Sequence, residues 1–216
     1  MYGSDADDAG GGETPADRPT EGRSVRTGPS LEAAVEEAAA SVASAARATL
    51  NGAERAAGPE RTSSILVAVA GGPHSGATVD VARHVAEATD AWIELFHVTP
   101  SDAAIDENGG EATSPETTGS DAEGGSGSYE ATGDRLLDAA CDRLGEFDRV
   151  DRWLLEGESA AGAITEQSPY YDLVVVGAPT TGTVGRFVFG STTDTVVDDA
   201  AVPVVVVEAA GAEPLE

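Results

Sequence analysis

Between residues 63 and 208, short apolar runs alternate with stretches whose apolar residues recur at helical spacing. The stretches with helical spacing predict helices over 76–90, 133–147, 158–168 and 191–201. The β-rich apolar runs predict five strands, over 63–70, 91–98, 149–156, 172–178 and 202–208. Continuous apolar strands that alternate with helices are typical of a parallel sheet covered on both faces. We therefore expect an α/β fold with a doubly wound, five-stranded parallel sheet.

Three segments fall outside this alternation. Residues 1–62 are predicted to be an acidic, disordered tail that contains one Ala-rich helix over 30–52, capped by Ser30. The apolar stripe of this helix is mostly alanine, so it would bury little surface. The helix could therefore pack weakly on the domain or on a partner, or it could be a free linker. Residues 99–132 are rich in Gly, Ser, Thr and acid, and we expect a disordered insertion there. Residues 209–216 are interpreted as a second tail.

The charge of the chain is strongly one-sided. There are 39 acidic residues against 12 basic ones, the formal net charge is −27, and every basic residue is an arginine. Such a chain repels itself at low ionic strength, and the repulsion is screened when the Debye length falls to about 3 Å, near 1 M salt. We therefore expect the salt-rich cytoplasm of a halophile, and the alternative is an ordinary protein with acidic tails. The chain has no basic stripe that could displace counterions, which argues against a nucleic-acid partner.

Cysteine content and hydropathy further limit the kinds of site and the cellular location that we expect. The single cysteine, Cys141, excludes an internal disulfide and a cysteine-based zinc site, and it is interpreted as a small apolar residue. The longest apolar runs, "ILVAVA" and "VPVVVV", are far shorter than a membrane span, and no signal peptide is visible, so a cytoplasmic location is expected. The three histidines are too scattered to predict a metal site, and no catalytic constellation stands out, so enzymatic turnover is not expected.

Two loops at predicted strand ends could hold a phosphate group. The loop "AGGPHSG" (70–76) follows the first strand, and His74 is its best candidate for contact with a ligand. The loop "GAPTTGTVGRFVFGST" (177–192) follows the fourth strand and leads into the last helix. In an open doubly wound sheet, ligands bind at these carboxyl ends of the strands.

The second loop has two interpretations. Gly190 and Ser191 stand where the helix begins, and a helix N-terminus offers unpaired amides and a partial positive charge to an anion. The hydroxyls of Ser191 and Thr192 and the cation Arg186 would add to such a site. The same residues also allow a plain helix start, in which Ser191 and Asp194 form a capping box.

The loop, the strand order and the length resemble the universal stress protein family over residues 63–208. Nucleotide-binding members of that family carry Gly, two residues, Gly, nine residues, then Gly-Ser or Gly-Thr. This chain has Gly177, Thr180 and Gly190-Ser191 at those places. The opening "ILVAVAGGPHSGATVDVARHVA" and the ending "VFGSTTDTVV…VPVVVV" are similar to the family as well. The resemblance implies an adenine nucleotide alpha hydrolase-like fold with strand order 3-2-1-4-5.

Two departures from the family's pattern indicate a degenerate nucleotide site. Binding members place an Asp at the end of the first strand to hold the adenine, whereas this chain has Ala70, whose methyl group accepts no hydrogen bond. Thr180 replaces a glycine that lets the loop close on phosphate. ATP binding is therefore expected to be weak or lost. The candidate nucleotide-binding residues are Ala70, Gly71, His74, Val98, Gly177, Thr180, Arg186, Gly190, Ser191 and Thr192.

Three functions remain open at this point. The leading one is a regulatory stress-response module with a weak adenine-nucleotide site. The second is a dimeric adaptor without a nucleotide, serving for example a membrane transporter, because related domains often accompany transporters. The third is an enzyme resembling the adenylating ATP pyrophosphatases. Its Ser-Gly-Gly-x-Asp-Ser signature is matched at Gly71, Gly72 and Ser75, but its first Ser and its Asp are missing.

The last predicted strand suggests self-association. In the order that the resemblance implies, "VPVVVVE" lies at the sheet edge, and a long apolar edge strand without Lys invites pairing. Universal stress proteins usually dimerise through this strand, and a homodimer through Val202 to Val207 is therefore expected.

The net charge predicts that folding depends on salt. Raising KCl from about 0.2 M to about 2 M should raise the Tm markedly, because the acidic surface is then screened. Thermal unfolding followed by circular dichroism measures this. A series in sucrose at low salt is the control, since sucrose stabilises without screening charge. An equal rise in sucrose would contradict the electrostatic explanation.

Overall fold

The computed structural model describes residues 29–56, 62–101, 125–179 and 190–215. Within these ranges the chain forms five α-helices and six β-strands, along with two single-turn 3₁₀ helices, Ala53–Arg55 and Ser168–Tyr170. The helices are α1 (Leu31–Ser41), α2 (Ser75–Thr89), α3 (Gly125–Leu144), α4 (Ala160–Gln167) and α5 (Gly190–Asp199). The strands are β1 (Ala45–Asn51), β2 (Ser64–Ala68), β3 (Trp92–Pro100), β4 (Val150–Gly157), β5 (Leu173–Gly177) and β6 (Val204–Ala209).

The described strands form one sheet in the order β1-β6-β5-β2-β3-β4. The five strands predicted from the sequence, β2 to β6, are all parallel to their neighbours among themselves. Their order, read from β4 to β6, is the expected 3-2-1-4-5, so the predicted fold class is confirmed. The sixth strand, β1, is an addition that pairs antiparallel with β6.

The central strands are buried on both faces. In β2, Ile65 and Val67 pack in the core under α1, α2 and α3, while Leu66 points to the opposite core under α4 and α5. In β5, Val174 and Val175 divide between the two cores in the same way. This two-sided burial is the reason that these strands read as continuous apolar runs rather than as alternating ones.

The segment over 30–52 differs from its prediction. Ser30 does cap a helix, since its Oγ accepts from the amide of Ala33 at 3.3 Å, but α1 ends at Ser41 and residues 45–51 form strand β1. The reason is tertiary: β6 offers a free row of backbone hydrogen-bonding groups, and pairing with it outweighs the helix preference of an Ala-containing segment. The alanine stripe also packs closely rather than weakly, because Ala34 and Ala38 are each 1% exposed.

The last strand is therefore not an edge of the sheet. Its residues Val204 to Val207 pair with β1 of the same chain, and the prediction that they form the open edge is wrong. While β1 is in place, the backbone of β6 offers no free ladder to a second copy. The homodimer itself stays a prediction.

Two further segments are more ordered than predicted. Helix α3 begins at Gly125, so residues 125–132 of the predicted disordered insertion are helical, while residues 102–124 lie outside the described ranges. The segment after β6 is held to the domain. The amide of Glu213 donates to the carbonyl of Pro73 at 2.7 Å, and Leu215 is 7% exposed in the core.

A carboxylate joins the amino ends of the two central strands. Asp172 Oδ2 accepts four hydrogen bonds from the amides and hydroxyls of Ser63 and Ser64, at 2.7–3.1 Å. Partial burial raises the pKa of the Asp172 carboxyl, but the four hydrogen bonds lower it by more, and the net pKa lies below its ordinary value. The charged form therefore stabilises the junction between β2 and β5.

Replacing Asp172 should expose this contribution as a pH dependence. Because the folded-state pKa is depressed, the stabilisation is present above the ordinary pKa of about 3.9 and is lost as pH falls through the folded pKa. Asp172→Asn should thus be less stable than the parent at pH 6–7, and the difference should vanish at low pH. Urea unfolding across this range measures it. Asp148→Asn, at an exposed position, is the matched control and should change stability little at any pH.

Candidate functional site

The strand order reverses between β2 and β5, which lie side by side in the sheet. After β2 the chain passes to α2 on one face, and after β5 it passes to α5 on the other face. The two connections diverge above the carboxyl ends of these strands, and a crevice at this point is the usual ligand position in a doubly wound sheet. We refer to it as the switch-point crevice.

Gly177, at the end of β5, is the centre of this crevice. The hydroxyl of Thr193 donates to the Gly177 carbonyl at 3.0 Å, and this contact brings the first turns of α5 to the strand end. On the other side, a Cβ atom on Gly177 would lie 3.3 Å from His74 Cβ and 3.3 Å from Thr78 Oγ1. The predicted importance of Gly177 therefore has a physical basis, because two helix N-termini meet the strand end here and leave little room for a side chain.

The N-terminus of α2 is already occupied by the chain itself. The amide of Gly76 donates to the backbone carbonyl of Glu213 at 2.7 Å. A Cβ on Gly76 would lie 2.8 Å from that carbonyl and 2.9 Å from Arg143 Cζ, so the segment after β6 lies directly on this helix end. One of the amides that an anion would need at the start of α2 is therefore already paired within the chain.

His74 has a structural contact rather than an open position. Its Nδ1 accepts from the amide of Ala209 at 3.1 Å, which ties the start of α2 to the end of β6. An acceptor nitrogen carries no proton, so the proton of the neutral ring is on Nε2. The predicted ligand role of His74 is thus limited to Nε2.

The side chains of Ala70 and Val98, two of the candidate binding residues, are apolar. Ala70 is half-buried just beyond β2, and the neighbouring amide of Val69 donates to the Phe96 carbonyl at 2.8 Å. A Cβ atom on Gly71 would lie 3.8 Å from Cδ2 of Leu136. Val98 is half-buried on the face of α4 and α5. Ala70 and Gly71 follow β2, Val98 lies near the end of β3, and none of the three has a side chain that can form a hydrogen bond.

The phosphate loop is described only at its two ends. Thr180 and Arg186 lie outside the described residues. Helix α5 begins at Gly190, so Ser191 lies within its first turn rather than ahead of it. Both interpretations of Ser191, as a phosphate contact and as a cap, stay predictions. Thr192 is half-buried and has an interaction partner.

Arg143, which lies beside the start of α2, is already paired with carboxylates of the protein itself. Arg143 donates to both carboxylate oxygens of Asp80 at 2.8 and 2.7 Å and lies 3.4 Å from Glu213 Oε2. The hydrogen bond to Asp80 raises the pKa of Arg143, whereas partial burial lowers it less. The Arg143 guanidinium is therefore already paired with two carboxylates, those of Asp80 and Glu213.

Sequence reasoning missed three of these residues. Thr78 and Thr193 touch the carboxyl end of β5, and Glu213 covers the start of α2. Thr193 is adjacent to the predicted Thr192 and could have been included as part of the same turn. No local signal marks Thr78 or Glu213, because their roles depend on how distant segments pack.

Residues 61–208 match the model of the universal stress protein family, and the chain belongs to this family. The match covers more than half of the chain and includes both loops of the switch-point crevice. No curated protein gives a significant match. The described residues contain no helix that is long and apolar enough to cross a membrane.

Several solved structures are similar in fold. A universal stress protein in complex with cAMP has 19% identity, a TM-score of 0.48, and covers 70% of this chain and 100% of its own. The protein UspA from Lactobacillus plantarum has 22% identity and a TM-score of 0.46, covering 68% and 99%. The universal stress protein from Archaeoglobus fulgidus in complex with dAMP has 16% identity and a TM-score of 0.47, covering 68% and 98%. The family assignment rests on the family model alone.

The close approach of α3 to the strand ends can be tested with two glycines of that helix. A Cβ on Gly133 would lie 2.5 Å from Leu154 Cδ1 and 2.7 Å from His97 Cδ2, whereas a Cβ on Gly127 would meet nothing within 4 Å. Gly133→Ala should lower the free energy of unfolding by about 1–3 kcal/mol, because the side chains of Leu154 and His97, or the helix, must shift. Gly127→Ala, the matched control, should raise it by about 0.5–1 kcal/mol through helix propensity. Denaturant unfolding in high KCl measures both, and equal gains would contradict the packing.

Proposed function

We propose that this member of the universal stress protein family is a cytoplasmic, non-enzymatic binding module whose switch-point crevice takes an adenine nucleotide weakly. The observation that carries the proposal is the contact between Thr193 and Gly177, which holds the first turns of α5 against the end of β5. The family match spans both walls of this crevice.

The phosphate end has the chemistry that an anion requires. The first four amides of a helix have no partner within the helix, and their partial positive charge attracts a phosphate group. In this chain α5 begins at Gly190, a residue without a side chain that would keep the phosphate away. With the α2 N-terminus occupied by Glu213, the amides of α5 are the phosphate site that we propose.

The base end explains why binding should be weak. Ala70 provides no acceptor where binding members of the family have an Asp, so the exocyclic amino group of adenine loses a partner. A buried donor left without a partner costs about 1–3 kcal/mol, which corresponds to roughly 5- to 150-fold in affinity. The module would then respond only to high nucleotide concentrations.

The direct test is calorimetric titration of ATP, ADP and AMP, with and without Mg²⁺, in about 2 M KCl. The ligands of the two similar structures, cAMP and dAMP, belong in the same series. We expect weak binding that Gly190→Asp abolishes, because a carboxylate at the helix start repels phosphate. If no nucleotide binds to the folded protein, the proposal fails and the domain acts as the adaptor without a nucleotide.

Restoring the missing acceptor gives a sharper test. Ala70→Asp should raise the affinity for adenine nucleotides by roughly tenfold, since one hydrogen bond to the base is gained. Ala70→Val is the matched control, because it adds similar volume without an acceptor and should not raise affinity. Guanine nucleotides should not gain with either variant. An equal gain for adenine and guanine would contradict the assignment of Ala70 to the base.

A further inference from the structure

Residues 29–56 form a unit outside the matched family domain, and we call it the arm. It consists of α1, β1 and the 3₁₀ turn Ala53–Arg55. We propose that the arm is a built-in cover that keeps β6 from pairing with the β6 of a second copy of this chain. The inference is independent of the nucleotide site.

The surface under the arm has the properties of a self-association strand. Val204, Val205 and Val207 are all 0% exposed, and they divide between the two cores, so β6 is apolar on both faces. Without β1, its outer row of backbone amides and carbonyls would have no partner. An apolar edge strand of this kind is a template for pairing with another chain.

The orientation of β1 indicates the occupant that it replaces. β1 runs antiparallel to β6, with Leu50 opposite Val205 and Ala48 opposite Val207. A second β6 related by a two-fold axis would also run antiparallel, which is the isologous arrangement of most homodimers. Its valines would place apolar side chains where Leu50 and Ala48 lie now. The geometry therefore favours a second copy as the partner that the arm excludes.

The arm is held at both ends of β1. Before β1, the Ser44 hydroxyl donates to Asp80 Oδ2 at 2.6 Å, and the same carboxylate is paired with Arg143. After β1, Arg55 NH1 donates to the carbonyls of Val197 and Ala200, at 2.7 and 3.1 Å, which are orphan groups at the end of α5. These contacts join the arm to α2 and to the end of α5.

β1, which is the outer strand of the sheet on this side, is itself protected against pairing with another chain. The register of β1 shifts between Ala45 and Arg47, and the exposed Arg47 lies on this irregular part of the strand. A bulge and a charged side chain are common means of blocking edge-to-edge association. The arm thus replaces a regular valine edge with an irregular one that carries a charge.

The test compares three forms of the full chain in high KCl by size exclusion with light scattering. The first form is the parent. In the second, Ala48→Pro and Thr49→Pro together remove two consecutive amides of β1, at least one of which faces β6. In the third, Thr49→Cys and Val206→Cys, directly opposite each other in the ladder, form a disulfide in a Cys141→Ala background.

We expect the parent and the oxidised disulfide form to be monomers and the proline form to have twice the mass. Hydrogen exchange should show loss of protection over residues 45–51 in the proline form alone. A parent dimer that the disulfide abolishes overturns the proposal, because β6 then pairs in spite of the arm. A dimer that persists in the disulfide form overturns it, because β6 is then still covered. A proline form that stays monomeric with unprotected β1 overturns it as well.

A milder variant covers the case in which the proline form does not fold. Ser44→Ala with Arg55→Ala removes the contacts at both ends of β1 and leaves the core side chains in place. Faster exchange over residues 45–51 should then be accompanied by a larger dimer fraction than in the parent. Faster exchange with an unchanged mass at all concentrations would overturn the proposal.

Discussion

The burial of β2 and β5 on both faces is the constraint on which the other features depend. Residues that are adjacent in these strands, such as Leu66 and Val67, belong to different cores, so helices must cover both sides of the sheet. The chain satisfies this by leaving β2 toward one face and β5 toward the other. The divergence of these two connections creates the switch-point crevice, and the crevice is thus a consequence of how the core is built.

Within the crevice, backbone hydrogen bonding decides which helix end is available. Both α2 and α5 direct their N-termini toward the end of β5, and both would attract an anion in isolation. The α2 amide of Gly76 donates to the carbonyl of Glu213, which lies in the segment after β6. The same segment is held by the pairing of His74 with Ala209. The start of α2 is therefore covered by the segment that follows β6.

The valines of β6 serve two demands that conflict. They complete both cores, which requires apolar side chains on each face, but an uncovered strand of this kind would bind other chains. In a chain with a net charge of −27, mutual repulsion opposes such association at low salt, but this protection is lost when salt screens the charge. The arm prevents such association at any salt concentration, because β1 forms hydrogen bonds with the β6 backbone directly.

The sequence by itself determined the fold class, the order of the predicted elements and the location of the crevice. Two-sided burial leaves a direct mark, because strands such as β5 must be apolar at every position, and a helix start such as Ser30 carries its own capping side chain. Gly177 could also be identified, because a strand that ends in glycine before a loop is a local signal. The tertiary structure alone decided the state of residues 45–51 and the roles of Thr78 and Glu213. A strand acquires its hydrogen bonds from a partner distant in the chain, so Ala48 and Thr49 became β only because β6 was there to pair with them.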